Sequence, residues 1–355
     1  MGAQIRQAGE VMNLKPHIAP VMGDLSTRQE RIAVLLLLLA SVFFIELILF
    51  KFIPDIGGAT LYPNAQSAFV SMEAFKNHFM EPFSVHYSRF LGNIILYELA
   101  QAIGHFVHFS DIRLTPLRIA AGILTPIYFL IGASPLYFLR HLLDWRVFLA
   151  AYVIMFMSGM YVFYPCDAPA LAMLSLGLAA LLVQNLPVTL VFLLLTGLFR
   201  ESAFHFVVLG AVWALTSRAK PLPHRILWLA AFTVAFAVEY KLIRHFYPGP
   251  LNPPGLSGGI SAEDILFGHG MWSLTTIVSL GMALLFPVAY LALNDRKYPG
   301  WERKFFTLNC LAFPFWIIFY RIMGGNISEF RMLWPALIPC VFGLAWRSPI
   351  LEKEN

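Results

Sequence analysis

Residues 32–53 read Ile-Ala-Val-Leu-Leu-Leu-Leu-Leu-Ala-Ser-Val-Phe-Phe-Ile-Glu-Leu-Ile-Leu-Phe-Lys-Phe-Ile. This run is too long for the apolar region of a cleaved signal peptide and long enough to cross a hydrocarbon core of roughly 30 Å. The polar stretch Met1–Arg31 before it reads as a cytoplasmic tail. Nine further apolar runs follow: Leu117–Leu139, Val147–Tyr164, Ala168–Val183, Pro187–Phe199, Ser202–Thr216, Ile226–Phe246, Met271–Leu293, Phe305–Met323 and Met332–Trp346. The whole chain is 59% hydrophobic and 13% charged, with mean hydropathy +0.70. Soluble domains are nearer ~45–50% apolar and ~25% charged. The expected fold is therefore all-α: a polytopic integral membrane protein with about ten transmembrane helices filling residues 32–347 and short tails at 1–31 and 348–355.

The net charge of +5 does not point to nucleic acid, because Lys and Arg lie between apolar runs rather than in one patch. They serve as orientation markers. Arg140/Arg146, Arg218/Lys220/Arg225, Arg296/Lys297/Arg303/Lys304 and Arg347 are expected on the cytoplasmic face with both termini. Helix one then exits at Pro54, and 54–116 becomes a long outer loop. Within it, Glu98, Gln101, His105 and His108 recur at spacings of 3, 4 and 3 and so share one helical face. Arg89–Phe109 is expected to be an amphipathic helix lying on the membrane surface, with Ala65–Phe79 a second candidate. Tyr247–Gly270 is a Pro/Gly-rich outer loop, as suited to a substrate lid as to a passive linker. Pro187–Phe199 and Ser202–Thr216, joined as one helix, would cover ~45 Å and put Arg200 and Glu201 at mid-bilayer. Two short helices meeting at a polar break are expected instead. Cys166, Cys310 and Cys340 have no metal-ligand spacing and read as small core residues.

On this topology the ionisable residues at the ends of the runs gather on the outer face: Asp55, His86, Arg89, Asp167, Arg200, Glu201, His205, Glu239, Lys241, Arg244, His245, Arg321, Glu329 and Arg331. Carboxylates and guanidiniums at several helix ends on one face suggest a polar cavity, the default place for a binding site. A carboxylate there can act as general base for a hydroxyl acceptor, and Arg can hold a phosphate leaving group. No Walker A, His-Glu-x-x-His or Gly-x-Ser-x-Gly sequence occurs.

Five short stretches resemble one superfamily. They are Glu81-Pro82-Phe83 followed by Leu91–Gly104, Arg118-Ile119-Ala120 leading to Leu139-Arg140, Asp167-Ala168-Pro169-Ala170-Leu171, Gly197-Leu198-Phe199-Arg200-Glu201, and the tail Glu329-Phe330-Arg331-Met332-Leu333-Trp334-Pro335-Ala336-Leu337-Ile338-Pro339. Together they resemble the GT-C membrane glycosyltransferases, in particular bacterial protein O-mannosyltransferases and lipid A aminoarabinose transferases. The resemblance implies inverting transfer of a sugar from a polyprenyl-phosphate-linked donor to a glycan, lipid or protein acceptor at the periplasmic face of a bacterial inner membrane. It makes Asp55 the base that activates the acceptor hydroxyl and Asp167 a residue that orients or binds the substrates. Arg200, with Arg244 or Arg331, would stabilise the departing lipid phosphate. His86, Arg89, Glu201, His205 and Glu329 complete the expected substrate-binding set. The superfamily admits a divalent metal ion, though no ligand cluster in this sequence demands one. A polysaccharide polymerase or ligase, and a transporter of a lipid-linked substrate, are the alternative readings.

Overall fold

A computed structural model of the chain describes residues 28–47, 71–81, 89–106, 115–160, 164–247, 274–293, 300–322 and 330–347. Among these residues the secondary structure is helical, apart from an isolated antiparallel bridge between Leu143 and Trp346. The first helix is α1 (Arg28–Leu47). A short α2 (Met72–Phe75) runs on as a π-helical turn to Met80, and α3 is Phe90–Phe106. Next come α4 (Pro116–Ala133), α5 (Pro135–Phe138), α6 (Trp145–Gly159), α7 (Asp167–Leu182) and α8 (Leu186–Phe199). They are followed by α9 (Phe204–Thr216), α10 (Leu222–Phe246), α11 (Leu274–Leu293), α12 (Trp301–Leu311), α13 (Phe313–Ile322) and α14 (Trp334–Ala345).

Among the described residues, three segments are long and apolar enough to cross a membrane: Pro116–Phe138, Leu222–Phe246 and Thr276–Leu293. Five shorter apolar helices, Trp145–Gly159, Asp167–Leu182, Leu186–Phe199, Glu201–Thr216 and Phe330–Ala345, pack among them. Many large apolar side chains stay exposed on the outer surface, including Leu227, Val234 and Leu242 on α10 and Ile277, Leu285 and Val288 on α11. Such a continuous apolar exterior is unfavourable in water and suits a lipid surround.

The centre of the bundle is α7. Its residues are buried along almost the whole length, because small side chains let its neighbours approach closely. Ser175 donates to the Gly132 carbonyl of α4 at 2.7 Å. A Cβ at Gly132 would fall 3.2 Å from the Ala172 backbone and onto the Tyr152 hydroxyl. Gly177 accommodates the Phe206 ring of α9 in the same way. On the other side, α14 is also buried, and the Trp334 indole donates to the Met155 carbonyl at 2.9 Å while resting on Gly159.

The expected break between α8 and α9 is present. Arg200 is extended (φ −162°, ψ 147°), and a 3₁₀ turn, Glu201–Ala203, starts the next helix. The run expected at Phe305–Met323 is instead two helices, α12 and α13, parted at Ala312, with Pro314 in the first turn of α13, where a missing N–H costs nothing. On α3, Glu98, Gln101 and His105 are exposed, whereas Gly92, Asn93, Leu96 and Ala100 are buried, the amphipathic division expected of it. That buried face joins Phe75, Phe79, Leu117, Ala120, Ala121, Tyr164 and Cys166 in a satellite core. His108, residues 65–70 of the other amphipathic candidate, and the loop after Tyr247 lie outside the described residues.

Basic residues of several elements meet at one end of the bundle. Arg347 pairs with Asp144 at 2.6 Å and its backbone N–H donates to the Leu142 carbonyl, while Arg146 reaches Glu30 at 3.5 Å. Trp346 packs on Phe306, one turn from Arg303. All these groups lie at the end of the helices opposite Asp167 and Arg200.

Candidate functional site

At the other end, five segments bring ionised side chains together. Asp167 is the first residue of α7, where the helix dipole favours a carboxylate. The Arg200 guanidinium donates to its Oδ1 and the Arg331 guanidinium to its Oδ2, so the carboxylate bridges two cations that are 33 and 164 residues away. The three residues are 4%, 6% and 3% exposed, a depth at which an unpaired charge would be costly. Arg331 also lies over the Tyr164 ring at 3.8 Å, and Arg200 touches the Met332 sulfur. The Cys166 thiol points at Asp167 Oδ1 from 3.6 Å, and burial beside that carboxylate pushes the thiol up to about 12.

The extended backbone at Arg200 explains how adjacent residues serve different partners, since consecutive side chains on extended chain face opposite ways. Arg200 turns to Asp167. Glu201 turns to Arg89, whose Nε donates at 3.0 Å, and to Arg244 at the end of α10, at 3.5 Å. Burial acts to lower the proton affinity of Arg89. The Glu201 carboxylate, with Asp167 behind it, outweighs that and leaves its pKa raised, so Arg89 remains a cation. The two sets of ion pairs thus form one network, with four guanidiniums around two carboxylates.

Gly92 fixes the position of Arg89. A Cβ there would fall 2.8 Å from the Pro165 carbonyl and 2.9 Å from the Cys166 Cα, so only glycine lets α3 lie directly on the chain leading to Asp167. Next to the network, Glu239 is buried with its carboxylate against the face of Gly197. Its Oε2 has no hydrogen-bond partner among the described residues. It lines a small void of about 10 Å³ with Glu201, Tyr240 and Arg244, which is space for about one water.

His205 is placed beside the network but engaged elsewhere. Its Nδ1 faces the Ser202 carbonyl at 3.0 Å, which makes that nitrogen the donor and leaves Nε2 to accept from the Tyr320 hydroxyl at 2.9 Å. Trp316 stacks on the ring at 4.5 Å.

Of the residues singled out in the sequence, Asp167, Arg89, Arg200, Glu201, Arg244 and Arg331 come together, with His205 adjacent. Asp55, His86 and Glu329 lie outside the described residues. Tyr164, Met332 and Tyr320 touch this set without having been singled out, because aromatic and thioether side chains carry no signal inside an apolar run. Among the described residues no group of three His, Cys, Asp or Glu side chains is placed to hold a metal ion. All three cysteines are buried as free thiols, Cys310 and Cys340 in contact at 3.3 Å.

An arrangement of this kind can bind an anion, because guanidiniums outnumber carboxylates and each guanidinium presents a fork of donors suited to phosphate oxygens. No family model, curated protein or solved structure matches the chain.

Proposed function

We propose that the chain is a membrane-embedded glycosyltransferase that takes a sugar from a polyprenyl-phosphate-linked donor at the face carrying Asp167. The observation that supports this is the convergence of Arg89, Arg200, Arg244 and Arg331 on two carboxylates at one end of an otherwise apolar helical bundle. A lipid-linked phosphate presents its charge at the depth of these residues while its tail stays in the hydrocarbon.

In the reaction, a carboxylate removes the proton of the acceptor hydroxyl. The freed oxygen attacks the anomeric carbon, and the carbon–oxygen bond to the lipid phosphate breaks with inversion. The phosphate leaves with the bonding electron pair, and guanidiniums offset its charge as it develops. Arg200 and Arg331 are assigned to that task, with Arg89 and Arg244 steering the donor headgroup. Asp167 holds the two inner guanidiniums in place, a positioning role. Asp55 is the proposed base. On this reading the bundle is a polytopic inner-membrane protein with the basic end in the cytoplasm and the site in the periplasm, where the acceptor is a glycan, a lipid or a protein.

The test is transfer of a radiolabelled polyprenyl-phosphate sugar by the purified chain in lipid, with Asp55→Asn and Asp167→Asn alongside. Wild-type transfer that is lost in Asp55→Asn supports the reading. Full transfer by Asp55→Asn removes the base assignment. Absence of transfer by folded protein across a panel of donor sugars moves the site to a polymerase or a transporter.

A further inference from the structure

An open cavity lies at the end of the bundle opposite Asp167. The end of α9 and the start of α12 enclose its volume of about 960 Å³, lined by Leu215, Arg218, Trp301, Arg303, Lys304 and Leu308, among others. Its walls differ in character. Arg218, Arg303 and Lys304 supply positive charge from two separate elements. Leu215 and Leu308 are 78% and 42% exposed, leaving apolar surface at the mouth. Trp301 adds an amphipathic ring between them, a residue type enriched at the depth of lipid headgroups.

The basic residues at this end have different partners. Arg225 donates to the Ala214 and Ser217 carbonyls and so caps α9. Arg347 is paired with Asp144 and Arg146 with Glu30. Among the described residues, Arg218 and Lys304 make no ion pair, and both face the cavity. The nearby acid, Glu302, folds its carboxylate back toward Gly300. A cationic cavity with an apolar mouth matches a phosphate diester that carries acyl chains.

We propose that this cavity binds the headgroup of an anionic phospholipid, with the phosphate held by Arg218 and Lys304 and the chains laid over Leu215 and Leu308. The proposal rests on the chain being embedded in lipid and is independent of what the opposite end catalyses.

The experiment uses the full chain in phosphatidylcholine nanodiscs with graded phosphatidylglycerol, reading the lipid that stays bound after extraction into neutral detergent by native mass spectrometry. Arg218→Gln combined with Lys304→Gln is compared with Lys220→Gln, which removes an exposed charge outside the cavity lining. Retained phosphatidylglycerol is expected to weaken about tenfold in the double variant, equivalent to ~1.4 kcal/mol, and to be unchanged in Lys220→Gln. Equal losses in both variants, or none in the double variant, would overturn the site. Displacement of the lipid by millimolar inorganic phosphate would show that the cavity takes a free anion and would overturn the lipid assignment. Both substituted side chains are exposed, so folding is preserved, and the thermal transition in phosphatidylcholine alone verifies it.

Discussion

The two ends of the bundle use the same cations in opposite ways. At the Asp167 end, Arg200 and Arg331 are buried and tied to Asp167, while Arg89 and Arg244 are half-buried and tied to Glu201. At the basic end, Arg218 and Lys304 stand exposed around an open cavity, and the ion pairs nearby, such as Arg146 with Glu30, remain partly in solvent. Burial is what separates them. A buried charge must be matched in place, so its partners fix the positions of the helices that carry them. An exposed charge is matched by water and ions, so it orients the chain and attracts ligands without holding the fold together.

Substitutions at the two ends should therefore differ in a graded way. The largest effect is expected from Asp167→Ala, which leaves Arg200 and Arg331 buried without their shared carboxylate. Breaking a buried pair by removing one partner costs ~3–5 kcal/mol, and the thermal transition of the purified protein should fall by many degrees. A transition within a degree of wild type would mean that this end is far wetter than its burial indicates. Gly92→Ala comes next. Its Cβ meets the backbone of Pro165 and Cys166, which cannot swing aside, so overpacking of about 1–3 kcal/mol is expected, together with displacement of Arg89. Denaturation in detergent measures the first effect, and a double-mutant cycle with Glu201→Gln measures the second.

Smaller effects come from the less buried pairs. Arg89 and Glu201 have side chains 19% and 28% exposed, and Arg89→Gln should cost about 1 kcal/mol. At the basic end, Arg146→Ala removes a 3.5 Å contact from a side chain that is 68% exposed, and stability should stay within about 0.5 kcal/mol of wild type. A larger loss at Arg146 than at Arg89 would reverse the comparison.

Much of this contrast is legible in the sequence, because a membrane constrains where charge can sit. The break at Arg200–Glu201 follows from length alone: one continuous helix would have put both residues at mid-bilayer. The gathering of Asp167, Arg200, Arg244 and Arg331 on one face follows from each standing at the end of an apolar run. The polar face of α3 follows from the spacing of Glu98, Gln101 and His105. The pairing itself does not follow, since Asp167 meets Arg331 across 164 residues and nothing local specifies which of four arginines it takes. The apposition of Glu239 and Gly197 depends likewise on how α8 and α10 cross. The expectation of about ten membrane helices is realised only in part by length. Among the described residues three helices are long enough, and Pro314 with the turn at Ala312 divides a run whose hydropathy alone reads as one span. Hydropathy reports which residues avoid water, whereas helix ends are set by prolines and caps.

The most direct test of the central claim is the affinity of the purified, folded chain for a polyprenyl-phosphate-linked sugar, with Arg200→Gln and Arg331→Gln beside wild type. Loss of at least tenfold in both variants, with Lys220→Gln at the far end unchanged, is the predicted result. Affinity that survives both inner substitutions in folded protein would contradict it and take the phosphate away from this end of the bundle.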